Sequence, residues 1–135
     1  LLEFFVGSPT KGNLNGDSIV TRVSVNGRSV LLCGDIERKG MTDITARGAD
    51  LKADVIKVPH HGSITSINDK FYDSARPTFA VIMVGKNNYG HPAQKVLDML
   101  EKRKITVFRT DTNGDILFEF SERGIGVKVT KEGPI

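Results

Sequence analysis

Ala49-Asp50-Leu51-Lys52-Ala53-Asp54-Val55-Ile56-Lys57-Val58-Pro59-His60-His61-Gly62-Ser63 is the stretch whose reading decides the fold. Asp54 to Val58 is a short apolar run, and Pro59, with no N–H to give a sheet ladder, stops it. Two imidazoles follow at once. Gly62 then lets the backbone turn sharply. The pattern predicts a buried strand that ends on histidines, and open α/β sheets place ligands past such strand ends.

Upstream, Leu1 to Val6 reads as a strand, Gly7 to Gly16 as a loop, and Ser18 to Val25 as a second strand. Asn26-Gly27 is a two-residue hairpin signal before the strand Ser29 to Cys33, which runs into Gly34-Asp35. Glu37 to Arg47 is weakly helical and ends at Gly48, suited to the residue after a helix. Downstream, Ser66 with Asp69 reads as a helix N-cap, with Ile67, Phe71 and Ala75 facing the core. Thr78 to Val84 is a nearly continuous apolar strand of the type buried on both faces. Ala93 to Arg103 is the best helix, with Val96, Leu97 and Leu100 on one face. Ile105 to Arg109 is a strand, Asn113-Gly114 a second hairpin turn before Ile116 to Phe120, and Gly126 to Thr130 the closing strand. Strands alternating with helices predict an α/β (α+β layered) domain with a mixed sheet and flanking helices.

Composition bounds the class. The chain has 135 residues, enough for one domain with a modest core. Its 39% hydrophobic and 26% charged content is that of an ordinary globular chain. No apolar run approaches the ~18–20 residues of a membrane span, and no signal-peptide pattern is present. The chain opens on Leu1, inside an apolar run, which suggests an excerpt of a longer polypeptide or a processed chain. The single cysteine, Cys33, excludes an internal disulfide and a cysteine-based zinc cluster; its apolar flanks predict a buried thiol. A net charge of +3 suits polyanionic partners and suits an ordinary basic surface equally well.

All three histidines, His60, His61 and His91, follow apolar strands, and so does Asp35. A carboxylate and imidazoles at strand ends suit Zn²⁺ or Mn²⁺. Each has an ordinary reading as well: Gly34-Asp35 as a turn, the histidine pair as surface or capping groups, and His91 as a loop residue before a helix. Asp111-Thr112-Asn113-Gly114-Asp115 resembles the start of a calcium loop, but its sixth position is Ile116 rather than glycine, which excludes it.

The joint order of three blocks carries a family resemblance. Val30-Leu31-Leu32-Cys33-Gly34-Asp35 resembles a strand end of metallo-β-lactamase-fold hydrolases. Ala49 to Ser63 and Gly85-Lys86-Asn87-Asn88-Tyr89-Gly90-His91-Pro92 resemble two blocks of the subfamily that includes the extracytoplasmic domain of ComEC competence proteins, and Asn15-Gly16-Asp17-Ser18 resembles a third. The resemblance implies the C-terminal part of a four-layer αβ/βα sandwich, with two divalent metals, zinc or manganese, in the complete domain. It implies a metal-ligand role for Asp35 and for one histidine of the pair. His61 is favoured because the turn at Gly62 follows it, with His60 behind it; the reverse is the alternative. Asn15 falls where many relatives carry a ligand histidine. His91 would donate to the scissile phosphate, with Asn88 and Ser63 as further substrate-binding residues.

The resemblance also exposes a gap. The family's principal motif, His-x-His/Asp-x-Asp-His, does not occur in this chain. Residues 1–135 therefore read as a single, incomplete domain, with too few ligands for a catalytic site on their own. An uncovered core would let the isolated chain dimerise or swap elements. The first expectation is a metal-dependent phosphodiesterase or nuclease acting on DNA within a larger, membrane-associated protein, on the bacterial extracytoplasmic face; outside that setting a cytoplasmic site is the alternative. The rivals are a small phosphoester or ester hydrolase of the same fold, and a non-catalytic fragment that contributes only structure.

Overall fold

The computed structural model describes residues 1–8, 12 and 14–131. A six-stranded sheet runs in the order β1 (Leu2–Val6), β2 (Ile19–Val25), β3 (Arg28–Leu32), β4 (Val55–Lys57), β5 (Phe79–Ile82), β6 (Thr106–Arg109). The first three strands pair antiparallel; β3 to β6 are parallel. The β2–β3 turn is Asn26-Gly27, with φ of 51° and 71°. Two consecutive positive φ values are what a type I′ hairpin requires, and Asn-Gly supplies them at least cost. Of the expected loop Gly7–Gly16, Pro9 to Lys11 and Asn13 lie outside the described residues, and Leu14–Asp17 forms a 3-10 turn.

Each parallel connection carries a helix: α1 (Arg38–Ala46), α2 (Asp69–Ala75) and α3 (Gln94–Lys102). Their apolar stripes, including Met41 and Ile44, Phe71 and Tyr72, and Val96 and Leu100, are buried against Val20, Leu31, Ile56, Ala80 and Ile82 of the sheet. A separate hairpin, β7 (Ile116–Ser121) and β8 (Gly124–Val129), lies on the opposite sheet face over β5 and β6. There Phe118 meets Phe79 and Phe108 with ring centroids 5.8 and 5.9 Å apart. The result is a mixed α/β fold with a mixed sheet and flanking helices, as the strand–helix alternation predicts.

Three local expectations are corrected. Asn68, not Ser66, caps α2: its Oδ1 accepts from the Phe71 N–H at 3.1 Å, while the Ser66 hydroxyl donates to the Ser63 carbonyl. The strand at 79–82 alternates buried and half-buried residues rather than being buried on both faces. Asn113-Gly114 makes no hairpin between β6 and β7, which belong to different sheets. Instead Thr110–Asn113 forms one helical turn, α4. The Asn113 side chain is buried and accepts from the Arg109 N–H at 2.8 Å, and the Asp111 carboxylate is spent on Arg109.

Candidate metal and phosphodiester site

The four parallel strands all end on one edge of the sheet. β3 delivers Gly34-Asp35, β4 delivers His60 and His61, β5 runs on to the loop holding His91, and β6 delivers Thr110. Thr110 ties its neighbour down: its hydroxyl donates to the Val84 carbonyl at 2.7 Å and accepts from the Val84 N–H at 2.8 Å. The edge arises because parallel strands joined by helical crossovers point the same way, so their terminal residues converge.

The turn after β4 is unusual. His60, His61 and Gly62 all have positive φ (46°, 53° and 78°). For non-glycine residues this left-handed conformation costs roughly 1–2 kcal/mol each, and such strain concentrates at functional sites. Glycine is required at 62, because an added Cβ would lie 2.7 Å from the Pro92 Cβ. The turn is braced by the His60 N–H donating to the Gly34 carbonyl at 3.1 Å, and by the Ala93 N–H donating to the Gly62 carbonyl at 2.9 Å. Gly62 thus locks the histidine turn against the His91-Pro92 loop.

The two adjacent histidines have different surroundings. His61 Nδ1 lies 2.6 Å from the Met83 carbonyl. A carbonyl only accepts, so Nδ1 carries the proton and donates, leaving Nε2 with its lone pair in the neutral ring. That Nε2 stands 3.7 Å from Asp35 Oδ1. Two donors each about 2.0–2.2 Å from one ion are separated by at most about 4.4 Å, so both can touch the same ion. A backbone carbonyl that fixes the tautomer is the support metal-binding histidines use. His60 instead turns its Nδ1 toward Glu37 Oε1 at 3.3 Å and Thr65 Oγ1 at 3.4 Å. Thr65 Oγ1 in turn meets Ser63 Oγ at 3.1 Å. Ser63 is buried and accepts from the Thr65 N–H, so it orients His60 from behind rather than lining the edge.

His91 completes the cluster, with its ring centroid 5.8 Å from that of His60. Burial, and then the neighbouring His60 and His61 rings, hold its pKa below the ordinary imidazole value, so it is neutral at pH 7. Asn88 is exposed. The loop is held instead by its neighbour Asn87. The Asn87 Oδ1 accepts from the Tyr89 and His91 N–H groups at 3.0 and 3.1 Å, and its Nδ2 donates to the Gly85 and His91 carbonyls at 3.0 and 2.8 Å.

The structure therefore brings Asp35, His60, His61 and His91 to one edge, with Ser63 behind His60 and Asn88 exposed on the loop that carries His91. Sequence reading missed Asn87, Glu37 and the part played by Lys57. The Lys57 side chain is 14% exposed, donates to the Gly34 carbonyl at 2.6 Å and lies 3.5 Å from Asp35 Oδ1. Lys57 pairs with Leu32, one strand over from Asp35, a cross-strand neighbour that the sequence does not reveal. Asn15 sits at the same edge, its Nδ2 3.5 Å from Glu37 Oε1. Among the described residues no three His, Cys, Asp or Glu side chains converge as a metal-binding group. Asp35 and His61 fit a divalent ion as two of its ligands, and a catalytic ion takes at least three from protein.

No protein-family model matches the chain. It is 40% identical over 126 residues to ComE operon protein 3 of Bacillus subtilis, covering 90% of this chain and 16% of that protein. It is 34% identical to competence protein ComA of Neisseria gonorrhoeae, covering 82% of this chain and 16% of that protein. Its homologues are competence proteins of the ComEC type. Recombination protein 2 of Haemophilus influenzae is 36% identical over 107 residues, 13% of its length. The chain thus spans about a sixth of the length of these relatives, and the similarity extends over most of the chain, including the edge that carries the histidines.

Proposed function

We propose that this chain supplies one side of a divalent-metal hydrolase centre of the metallo-β-lactamase type, which cleaves phosphodiester bonds of DNA during its uptake. The observation that carries the reading is the His61 ring, held by Met83 with Nε2 aimed toward Asp35. The names of the relatives support the DNA-uptake setting, and their length supports a larger protein around this chain; in that setting the chain would lie on the extracytoplasmic face of a membrane. Among the described residues, no helix is long and apolar enough to cross a membrane.

Zn²⁺ or Mn²⁺, two in the complete centre, would supply charge neutralisation and water activation. Asp35 and His61 would hold metal, and Glu37 and Thr65 would orient His60 behind them. His91, neutral, would donate an imidazole N–H to a phosphate oxygen. Lys57 balances the Asp35 charge and pins the Gly34 corner from which the carboxylate projects.

Zinc affinity of this chain, measured by competition with a chromogenic chelator, tests the ligand assignment. His61→Ala should lower it at least tenfold and His60→Ala by less; unchanged affinity in His61→Ala removes that residue from the centre. Cleavage of single-stranded DNA by the complete protein with Mn²⁺ or Zn²⁺ tests the activity. Hydrolysis of a small phosphodiester with DNA untouched would instead make it a small-phosphoester hydrolase. Hydrolysis of neither would favour the reading in which the chain contributes only structure.

A further inference from the structure

Beside the histidine cluster lies an open, mainly apolar cleft of about 510 Å³, lined by Met83, Val84 and Tyr89 together with His61, His91 and Lys86. Tyr89 is the conspicuous member. It is 83% exposed, and Met83 beside it is 53% exposed. The Tyr89 ring lies nearly parallel to that of His91, at 27° with centroids 6.0 Å apart. The ring is not on a loose tip. The Asn87 carboxamide accepts from the backbone N–H groups of both Tyr89 and His91 and donates to the carbonyls on either side. A side-chain amide that closes four hydrogen bonds fixes the loop before any ligand arrives, which lowers the ordering cost of binding.

We infer that Tyr89, in a cleft it shares with Met83, is a stacking shelf for an unpaired nucleobase, and that it seats the nucleotide whose phosphate reaches His91. This rests on the phosphodiesterase reading above and names its substrate as single-stranded nucleic acid. An aromatic face is sequence-tolerant, because every base offers a π-surface, and it is how single strands are gripped without base-specific hydrogen bonds. A base inside a duplex is already stacked on both faces and cannot use the shelf. The cleft lining also has the two parts such a ligand needs: apolar side chains for the base, and an imidazole and the Lys86 ammonium for the phosphate. A small phosphoester lacking a base would leave the apolar side chains unused.

The chain offers its own reporter. It contains no tryptophan and two tyrosines; Tyr72 is buried and Tyr89 is exposed. Titration of the chain with oligothymidylate should quench the accessible part of the tyrosine emission. An abasic oligomer of the same length and charge should not, and should bind more weakly. Tyr89→Ala should weaken oligothymidylate binding by roughly five- to a hundredfold while Tyr89→Phe retains it. Duplex of the same length should quench less than single strand. Equal affinity for abasic and base-bearing strands, or unchanged affinity in Tyr89→Ala, overturns the shelf, whatever hydrolysis is found. In the complete protein, Tyr89→Ala should raise KM for single-stranded DNA, and Tyr89→Phe should leave it close to that of the native protein. If base-dependent quenching is present and neither single-stranded DNA nor a small phosphodiester is hydrolysed, the shelf stands and the hydrolase reading falls.

Discussion

The six-stranded sheet has two unlike faces. Residues directly paired across strands share a face, so Val20, Leu31, Ile56 and Ala80 lie on one side, where α1, α2 and α3 bury them completely. On the other side the β7–β8 hairpin packs on β5 and β6, and Val55 of β4 is buried on that face as well. Over β1 to β3 that face shows Leu2, Phe4, Val6, Ile19 and Leu32, all of them exposed. Both faces are apolar in sequence, so apolarity alone does not decide burial. The crossover helices fill whichever side the right-handed connections choose, and the other side is left to whatever packs there. Met99, Leu100 and Val96 illustrate the first case, and Phe4 the second.

The sharpest break between the faces is in stability. Ile56 is fully buried at the centre of the helix-covered side. Ile56→Ala should cost about 2–5 kcal/mol, the loss of buried methylenes plus the cavity left behind. Urea unfolding followed by far-ultraviolet circular dichroism measures it. A cost below about 1 kcal/mol would mean that this side is loosely packed.

Leu32, the last residue of β3, and Cys33, directly after it, sharpen the comparison, because successive side chains of an extended chain point to opposite sides. Leu32 is 43% exposed and Cys33 is fully buried. Burial pushes the Cys33 thiol well above its ordinary pKa, against a weaker opposing pull from Lys57. The thiolate is the reacting species, so a raised pKa lowers its population at every pH below that value, and burial blocks the reagent as well. A disulfide-exchange dye at about pH 8 should label the native chain slowly, and a Leu32→Cys, Cys33→Ala variant should label at least about a hundred times faster. Equal rates would show that the two residues are not on opposite faces.

Much of this arrangement is legible in the sequence, and what is not legible depends on side chains meeting across the fold. Asn26-Gly27 announces its hairpin because both residues must take positive φ, a local demand. The same dipeptide at Asn113-Gly114 fails as a hairpin signal because the buried Asn113 amide caps the Arg109 N–H, and Thr110 binds the turn to the end of β5. Ser66 and Asn68 are both plausible caps in sequence; the one whose side chain reaches the Phe71 N–H wins. At the site, Asp35, His61 and His91 are readable because each follows an apolar strand. Met83 beneath His61, Glu37 beside His60, and Lys57 against Asp35 are contacts between strands, and spacing along the chain carries no record of them. The left-handed run at His60, His61 and Gly62 is likewise invisible apart from its glycine.

The smallest effect probes the open face directly. Phe4 lies on the edge strand β1 and is 63% exposed, so its ring gives up little water-accessible area on folding. Phe4→Ser should therefore change stability by less than about 0.5 kcal/mol, against the several kcal/mol expected at Ile56. An exposed apolar face beside an unpaired strand edge is a site for association. If copies of the chain cover that face in solution, as the sequence-based expectation of a dimer holds, Phe4→Ser should cost about 2 kcal/mol or more. That cost should then grow with protein concentration, because dimer stability depends on protomer concentration. Unfolding at two concentrations, with sedimentation to count copies, separates the cases. A small cost independent of concentration keeps the two faces as unlike as the structure shows, and a large concentration-dependent cost makes the second face a buried one as well.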